Sequence, residues 1–308
     1  MPFSRRRFMK SAAILAAPAL LSELNQVAAQ IPKPFFSGKL PIKILATNWG
    51  FTGSWEAFCA KTKEAGYDGF EIWIPREEKE RVPMLETARK YGLSFGFLAG
   101  GWSQKFDEHL QSYEIGVRLS VAEKPLYVNT HAGRDYFTVD QNIKILQTGL
   151  AIAKESGVPV LCETHRSRSA FSANATRELM QRLPELRLTA DLSHWCVVHE
   201  SLLDGYEDVL EAALSRTDHI HARIGHAEGP QVNDPRAPEW ADAVKKHFEW
   251  WDNVVEHKIK AGAPYLTFLT EFGPPTYLPA LPYTRQPVAD QWEINVHMMK
   301  LLRERYAG

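Results

Sequence analysis

Val-Leu-Cys-Glu-Thr-His-Arg at 160–166 and Arg-Leu-Thr-Ala-Asp-Leu-Ser-His-Trp at 187–195 share one grammar, with a helix-like segment between them. Each is a short apolar run that ends abruptly in a carboxylate and then a histidine: Glu163 and His165, then Asp191 and His194. Runs rich in Val, Leu and Ile read as buried strands, and an acid at the end of one lies where the strand meets solvent or a ligand. Two later runs repeat the pattern, His-Ile-His-Ala-Arg at 219–223 and Leu-Thr-Phe-Leu-Thr-Glu-Phe-Gly-Pro at 266–274. The four strand ends together offer Glu163, Asp191, His221 and Glu271, three carboxylates and one imidazole.

Outward from this stretch, strand and helix alternate. Strands are expected over 42–48, 69–73, 93–98, 126–130, 158–162, 186–190, 219–223 and 265–270. Helices are expected over 55–65, 81–91, 105–122, 142–156, 175–183, 202–214 and 288–306, with Gly66, Gly92 and Gly157 as stops. Eight alternations imply a parallel sheet, and eight matches the closed (β/α)8 TIM barrel, an α/β fold, better than an open doubly wound sheet. No Gly-rich dinucleotide fingerprint follows the first strand to favour the open sheet. One barrel domain is expected over 42–308. Its irregularity is the insertion after the seventh strand, Gly-Pro-Gln-Val-Asn-Asp-Pro-Arg-Ala-Pro at 229–238, then a Trp- and Lys-rich helix to about residue 261. Loops of that length read as lids or substrate-binding segments.

The 308 residues are 44% hydrophobic and 24% charged, with a formal charge of −1. That balance gives no basic face for nucleic acid or an anionic membrane and points to a small-molecule partner. The first 29 residues stand apart from the fold: Ser-Arg-Arg-Arg-Phe-Met-Lys at 4–10, an apolar run at 12–21, then Val27-Ala28-Ala29. They resemble a twin-arginine export signal with Arg5 and Arg6 as the pair, an ordinary secretory signal being the plainer alternative. The apolar run is short for a membrane span. A mature chain beginning near Gln30 would open with a Pro- and Gly-rich linker over 30–41, lack an integral membrane span and reside in the periplasm or another exported compartment. Cys59, Cys162 and Cys196 are odd in number and form no CxxC pair, so buried free thiols are expected rather than disulfides or a thiolate zinc site.

In such a barrel the C-terminal strand ends converge on one rim. Carboxylates beside a histidine make poor core residues unless paired, and at converging strand ends they can pair through a divalent ion. Oxygen-rich ligation with one imidazole favours Mn, Mg or Co and admits Zn. The bland alternative is a set of helix caps, solvated loop acids and strand-end histidines, against which four such residues on four consecutive strands weigh. His194, three residues after Asp191, is placed to bond a substrate oxygen; His131 and His165 either touch substrate or support the ligands. Glu71 would bond a sugar hydroxyl or pair with a nearby base, and Trp49 and Trp102 have faces suited to a sugar ring, although packing at the barrel mouth is the commoner use of tryptophan. Arg223, read as the middle of the seventh strand, would brace a metal carboxylate, and His219 is read as structural.

At these residues the sequence resembles the sugar phosphate isomerase/epimerase family, the xylose isomerase-like barrels that include the ketose 3-epimerases, over 42–306. The motifs carrying the resemblance are Glu163, Asp191-x-x-His194, His219-x-His221 and Glu271. It implies that Glu163, Asp191, His221 and Glu271 hold one divalent metal, that Glu163 and Glu271 exchange protons with the substrate, and that His194 holds substrate oxygens. The implied chemistry is proton abstraction next to a carbonyl through an enediolate. Ketose epimerases usually carry an arginine shortly after the strand-seven histidine, where this chain has Ile224-Gly225-His226-Ala227-Glu228, and Phe272-Gly273-Pro274-Pro275 is no phosphate cradle. An unphosphorylated sugar or sugar-like ketone is therefore the expected substrate of an isomerase or epimerase. A metal-dependent lyase or hydratase of 3-keto-glycosides would use the same site, and a non-catalytic sugar-binding barrel would keep only the tryptophans. A metal-assisted endonuclease would want more histidine ligands and a basic groove, which the charge balance opposes. A homo-oligomer is compatible with the sequence.

Overall fold

The computed structural model describes residues 31–306; the segment expected to be an export signal, residues 1–29, lies outside the described residues. Eight parallel strands run β1 Ile42–Thr47, β2 Gly69–Trp73, β3 Ser94–Gly100, β4 Val128–His131, β5 Val160–Glu163, β6 Leu188–Ala190, β7 Thr217–His221 and β8 Leu266–Thr270. They pair in chain order and close through β1 on β8, giving the expected (β/α)8 barrel. The helices around it are α1 Trp55–Ala65, α2 Glu78–Lys90, α3 Phe106–Ala122, α4 Val139–Ser156, α5 Ala173–Arg182, α6 Leu192–Val198, α7 Glu207–Leu214, α8 Ala241–Lys260 and α9 Gln291–Tyr306. No described helix is long and apolar enough to cross a membrane.

Local chemistry sets several bounds. The Ser54 hydroxyl accepts from the Ala57 N–H at 3.2 Å to start α1, and Gly66, at φ 97°, ends it. Thr138 and Gln141 form a reciprocal capping box that opens α4, earlier than the apolar spacing alone suggests. The outward strand faces pack on the helices in one large core, while Leu45, Tyr127, Leu161 and Leu269 fill the barrel interior as a separate cluster. Two-residue alternation then carries the inward face upward from these apolar groups. On β5 it runs from Leu161 to Glu163, and on β7 it takes in His219 and His221. Cys162 falls on the outer face, where burial pushes its thiol up to about 12. All three cysteines are buried and free.

Three expectations need correction. A short helix, α6, follows β6 directly, so the segment expected as one helix over 202–214 is helical only from Glu207. β7 ends at His221, which places Arg223 beyond the strand rather than within it. The insertion after β7 is confined to 222–237, because the Trp- and Lys-rich segment is α8, the regular helix between β7 and β8. Gln231 pins that loop: its Oε1 accepts from the Gly273 N–H at 2.7 Å and its Nε2 donates to the Gly273 carbonyl at 3.2 Å. Within the segment expected as a linker Ile31 and Leu40 are buried, and most of the residues around them are exposed.

His247 of α8 secures the start of the same loop. Its Nδ1–H donates to the Ala243 carbonyl at 2.8 Å, and its Nε2 accepts the Gly225 N–H at 3.2 Å, so the neutral ring satisfies both. Burial holds its pKa down to about 4, against about 6.5 in an unfolded chain. The unfolded state therefore binds the proton first: stability is full above about pH 6.5 and falls by up to about 3 kcal/mol as the pH drops to about 4. Urea unfolding at pH 7.5 and 4.5 should show this loss, reduced in His247→Gln. An identical acid loss in the variant would assign it elsewhere, for example to His297, whose pKa burial also lowers to about 4.

Candidate active site

Glu163 ends β5, Asp191 follows β6, His221 ends β7 and Glu271 follows β8, so each occupies the same level of the ring. Their donor atoms lie within 4.8 Å of one another. His221 Nδ1 stands 2.8 Å from Glu271 Oε2, 3.6 Å from Glu163 Oε1 and 3.8 Å from Asp191 Oδ2. His221 Nε2 is 3.2 Å from Glu71 Oε1. With its Nε2–H given to Glu71, a neutral His221 would turn its Nδ1 lone pair toward three carboxylates. Acceptors then face acceptors, and Nδ1 and Glu271 Oε2 are both buried without a hydrogen-bond partner. Such a gathering is costly in a low-dielectric interior unless positive charge is placed at its centre. Burial opposes charge on His221, yet Glu271, Glu163 and Glu71 raise its pKa well above the usual range. The oxygen-rich set with one imidazole fits a divalent ion.

The surrounding residues hold these four in place. Burial alone would raise the Glu163 carboxyl, but His131 and His221 hold it well below the usual carboxylate range. Asn129 Nδ2 donates to Glu163 Oε2 at 2.7 Å, and His131 Nε2 lies 3.1 Å from the same oxygen. Burial raises the Asp191 carboxyl to about 6, with Arg223 opposing and Glu271 adding to the shift. Asp191 also caps α6: its Oδ1 accepts the Ser193 N–H at 3.1 Å and bonds the Ser193 hydroxyl. Arg223 Nη2 donates to Asp191 Oδ2 at 2.5 Å and lies 2.8 Å from His194 Nε2, so it braces the carboxylate as expected, but from the loop. Below the site His219 bonds Thr267 Oγ1 at 2.7 Å and Tyr127 at 3.0 Å.

Above the four residues opens a cavity of about 550 Å³, on whose lining Trp49, Glu71, Trp73, His131, His165 and Glu271 all appear. Glu71 is at its floor, committed to His219 Nε2 at 3.3 Å as well as to His221, rather than presented alone to a hydroxyl. Burial would raise its carboxyl, but His221 and His219 hold it well below the usual range. The rings of His131, His165 and His194 follow one another at centroid distances of 4.4 and 3.8 Å. His194 is fully buried at the back of this row, with Nδ1 unpartnered, and burial, His165 and Arg223 push its pKa well below the usual range. Trp102 stands outside the lining, exposed, against Trp73 at 4.8 Å and under Arg76 at 5.1 Å.

Sequence reasoning misses Asn129, Arg168 and Tyr277. Asn129 shares the inward face of β4 with His131, two residues on, so alternation was a usable signal. Arg168 and Tyr277 line the cavity from loops that have no periodicity. The Tyr277 ring lies under the guanidinium groups of Arg223 at 4.9 Å and Arg166 at 5.1 Å, with the edge of Trp49 at 4.9 Å.

Glu71→Gln keeps the shape of the floor but removes the charge that orients His221. Such supporting groups typically govern metal affinity by 10- to 100-fold. The variant should fold as the wild type and bind Mn about 10- to 100-fold more weakly in a calorimetric titration. Wild-type affinity would show that the Glu71–His221 contact does not tune the site.

The chain matches no family model, and no curated protein resembles it in sequence. Solved structures do resemble it in shape. A 3-keto-D-glucoside 4-epimerase from E. coli superimposes with a TM-score of 0.56 at 14% identity, covering 85% of this chain and 99% of that one. The probable 3-DHS dehydratase of petrobactin synthesis from Bacillus anthracis gives 0.55 at 17% identity, over 84% and 98%. A xylose isomerase-like TIM barrel protein from Mycobacterium smegmatis, in complex with magnesium, gives 0.59 at 11% identity, over 89% and 100%. At these identities the likeness is one of architecture: the chain has the xylose isomerase-like TIM barrel fold.

Proposed function

We propose that the protein is a divalent-metal-dependent isomerase or epimerase of an unphosphorylated sugar or sugar-like ketone. The convergence of Glu163, Asp191, His221 and Glu271 beneath a cavity with indole and imidazole walls carries this reading. These four residues would hold Mn, Mg or Co, with Zn admitted by the same donors. A bound ion of that kind would polarise a carbonyl and its neighbouring hydroxyl and so acidify the hydrogen on the hydroxyl-bearing carbon.

Glu163 and Glu271 act as the proton carriers. They come from β5 and β8, on different arcs of the ring, and would meet a bound sugar from different sides. One carboxylate takes the proton, the C–H electron pair moves toward the carbonyl oxygen, and an enediolate forms. Return of a proton to the opposite face of the same carbon inverts it; return to the neighbouring carbon, with the hydroxyl proton passing to the former carbonyl oxygen, moves the carbonyl. Glu163 is kept ionised by His131 and His221, as a base must be. Asn129 orients it by donating to Oε2. Trp49 and Tyr277 offer aromatic surface to the ring of the sugar. The twin-arginine-type segment at 1–29 supports export of the folded protein to the periplasm, where free sugars and glycosides are the accessible substrates.

Likeness to a 3-keto-D-glucoside 4-epimerase and to a dehydratase favours one second reading, a lyase acting on 3-keto-glycosides. Deprotonation next to the ketone would then expel the neighbouring group instead of being reversed. Mass spectrometry of the products separates the two: an isomer of equal mass, or a released aglycone.

Metal analysis of wild type and Glu163→Ala tests the site itself. About one divalent ion per chain is expected in the wild type and loss of most of it in the variant. Failure of the wild type to take up Mn, Mg, Co or Zn after reconstitution would leave the sugar-binding barrel as the better reading. Glu271→Gln should fold normally and lose turnover by about 10²- to 10⁴-fold. A metal-replete, fully active Gln variant would remove Glu271 from proton transfer.

A further inference from the structure

Most guanidinium groups set into this fold hold a carboxylate. Arg81, Arg187, Arg223, Arg236 and Arg305 pair with Glu123, Asp218, Asp191, Asp234 and Asp252 respectively. Arg216 is satisfied by the Met180 carbonyl at 2.9 Å, and Arg166 lies on the Tyr277 ring. Two half-buried guanidiniums near the cavity have no such partner. Arg134, in the loop after β4, and Arg168, in the loop after β5, make no ion pair among the described residues, and the Nε of each is buried with nothing to donate to. Their remaining contacts are thin: Arg134 Nη2 to the Gly101 carbonyl at 3.4 Å, Arg168 Nη1 to the Ser167 carbonyl at 3.2 Å, and Arg168 Nη2 to His131 Nδ1 at 3.4 Å.

The backbone builds this pair. The Ser169 N–H donates to the Ala132 carbonyl at 3.0 Å, which ties the two loops together beside Arg134 and Arg168. Asn142 clamps the Arg134 peptide from both sides, accepting from its N–H at 3.1 Å and donating to its carbonyl at 2.8 Å. Gly133 takes the left-handed φ of 65° next to that clamp, and a Cβ there would come within 2.0 Å of Asn142 Oδ1. Ser167 holds a φ of 63°, uncommon for a residue with a side chain, at the turn that carries Arg168. Arg168 lines the cavity. Burial and the neighbouring Arg134 both disfavour its charge. Asp135 is exposed and pairs with neither arginine. Glu163 and Asp135 favour the Arg168 charge in turn, but neither forms an ion pair with it, and His131 contacts both Glu163 and Arg168.

Paired cations with unfilled donors, partly out of water, are unfavourable until an anion joins them, and the planar guanidinium fork matches an oxyanion. We propose that Arg134 and Arg168 bind an oxyanion carried by the substrate, so that the cavity takes an acidic sugar, with the carboxylate of a uronic or aldonic acid as the matching group. The inference rests on the reading of this cavity as a sugar site and adds the charge of the sugar. Acids gather at the floor and the unpaired cations stand on the β4–β5 side, so the cavity would orient such a substrate with its carboxylate away from Glu71 and Glu271.

Calorimetric titration with D-glucuronate, D-glucose 6-phosphate and D-glucose tests this on the wild type, Arg168→Gln and the Arg134→Gln/Arg168→Gln double variant. Wild type should bind glucuronate about tenfold or more tightly than glucose, and the preference should shrink in the single variant and vanish in the double variant. A stronger preference for glucose 6-phosphate, lost in the same variants, upholds the oxyanion site with a phosphate ester in place of the carboxylate. Equal binding of glucuronate and glucose, absence of anion binding to the wild type, or a preference that survives both substitutions overturns the proposal. Arg168→Lys keeps the charge without the fork and covers the case in which the Gln variants fail to fold. The same titrations on chelator-treated wild type separate the two readings, because anion preference there depends on the arginines and not on the metal.

Discussion

One buried imidazole with acids on both of its nitrogens constrains the whole closed end of this barrel. Glu71 takes Nε2 of His221, while Glu163, Asp191 and Glu271 surround Nδ1. Negative charge at that density persists in a protein interior only where positive charge and donors answer it. The fold answers in layers: Arg223 behind Asp191, His219 beneath Glu71, and Asn129 and His131 on Glu163. These contacts cross the interior between β2, β4, β5 and β7, so side chains tie the ring across its diameter as the backbone ladder ties it around its edge. The electrostatics of the site and the closure of the barrel are therefore one problem, solved together.

How much of this is legible in the sequence depends on whether a signal is periodic or local. The inward faces of β5 and β7 are legible because burial on both sides of a strand enforces alternation, and Glu163 and His221 fall on the same phase as Leu161 and His219. The limits of α1 are legible residue for residue because Ser54 and Gly66 act within one turn. Helix α6 is not. Its seven residues are too few for a helical period, and Asp191 reads as a strand-end acid although it is also the cap of the helix. Arg223 is misplaced for a related reason: Ala222 and Ile224 stay buried after His221, so hydrophobicity continues where the paired strand has stopped. Arg168 and Tyr277 owe their position to loop paths set by other elements, such as the Ser169–Ala132 contact, which no spacing in the chain announces.

One side of the cavity mouth is fastened by glutamines. Gln231 joins the β7 loop to the β8 loop at Gly273. Gln291, at the start of α9, donates to both the Trp49 and the Phe272 carbonyls, at 2.7 and 2.8 Å, and so joins the loops after β1 and β8. Three successive loops are thus held to one another by amide side chains before any ligand arrives. A site held this way binds with less ordering cost than one assembled by the ligand.

The opposite pole of the barrel is where the two described ends meet. Arg305 Nη2 donates to the Pro32 carbonyl at 2.9 Å, Lys33 lies 3.2 Å from Glu304, and the Leu266 N–H at the foot of β8 donates to the Pro41 carbonyl at 3.0 Å. Both described ends therefore lie on the face opposite the candidate active site, beside a smaller cavity lined by Leu40, Ile42, Arg303 and Tyr306. Held by the described ends, the protein would present the cavity above His221 outward, so tethering there and substrate access would not compete.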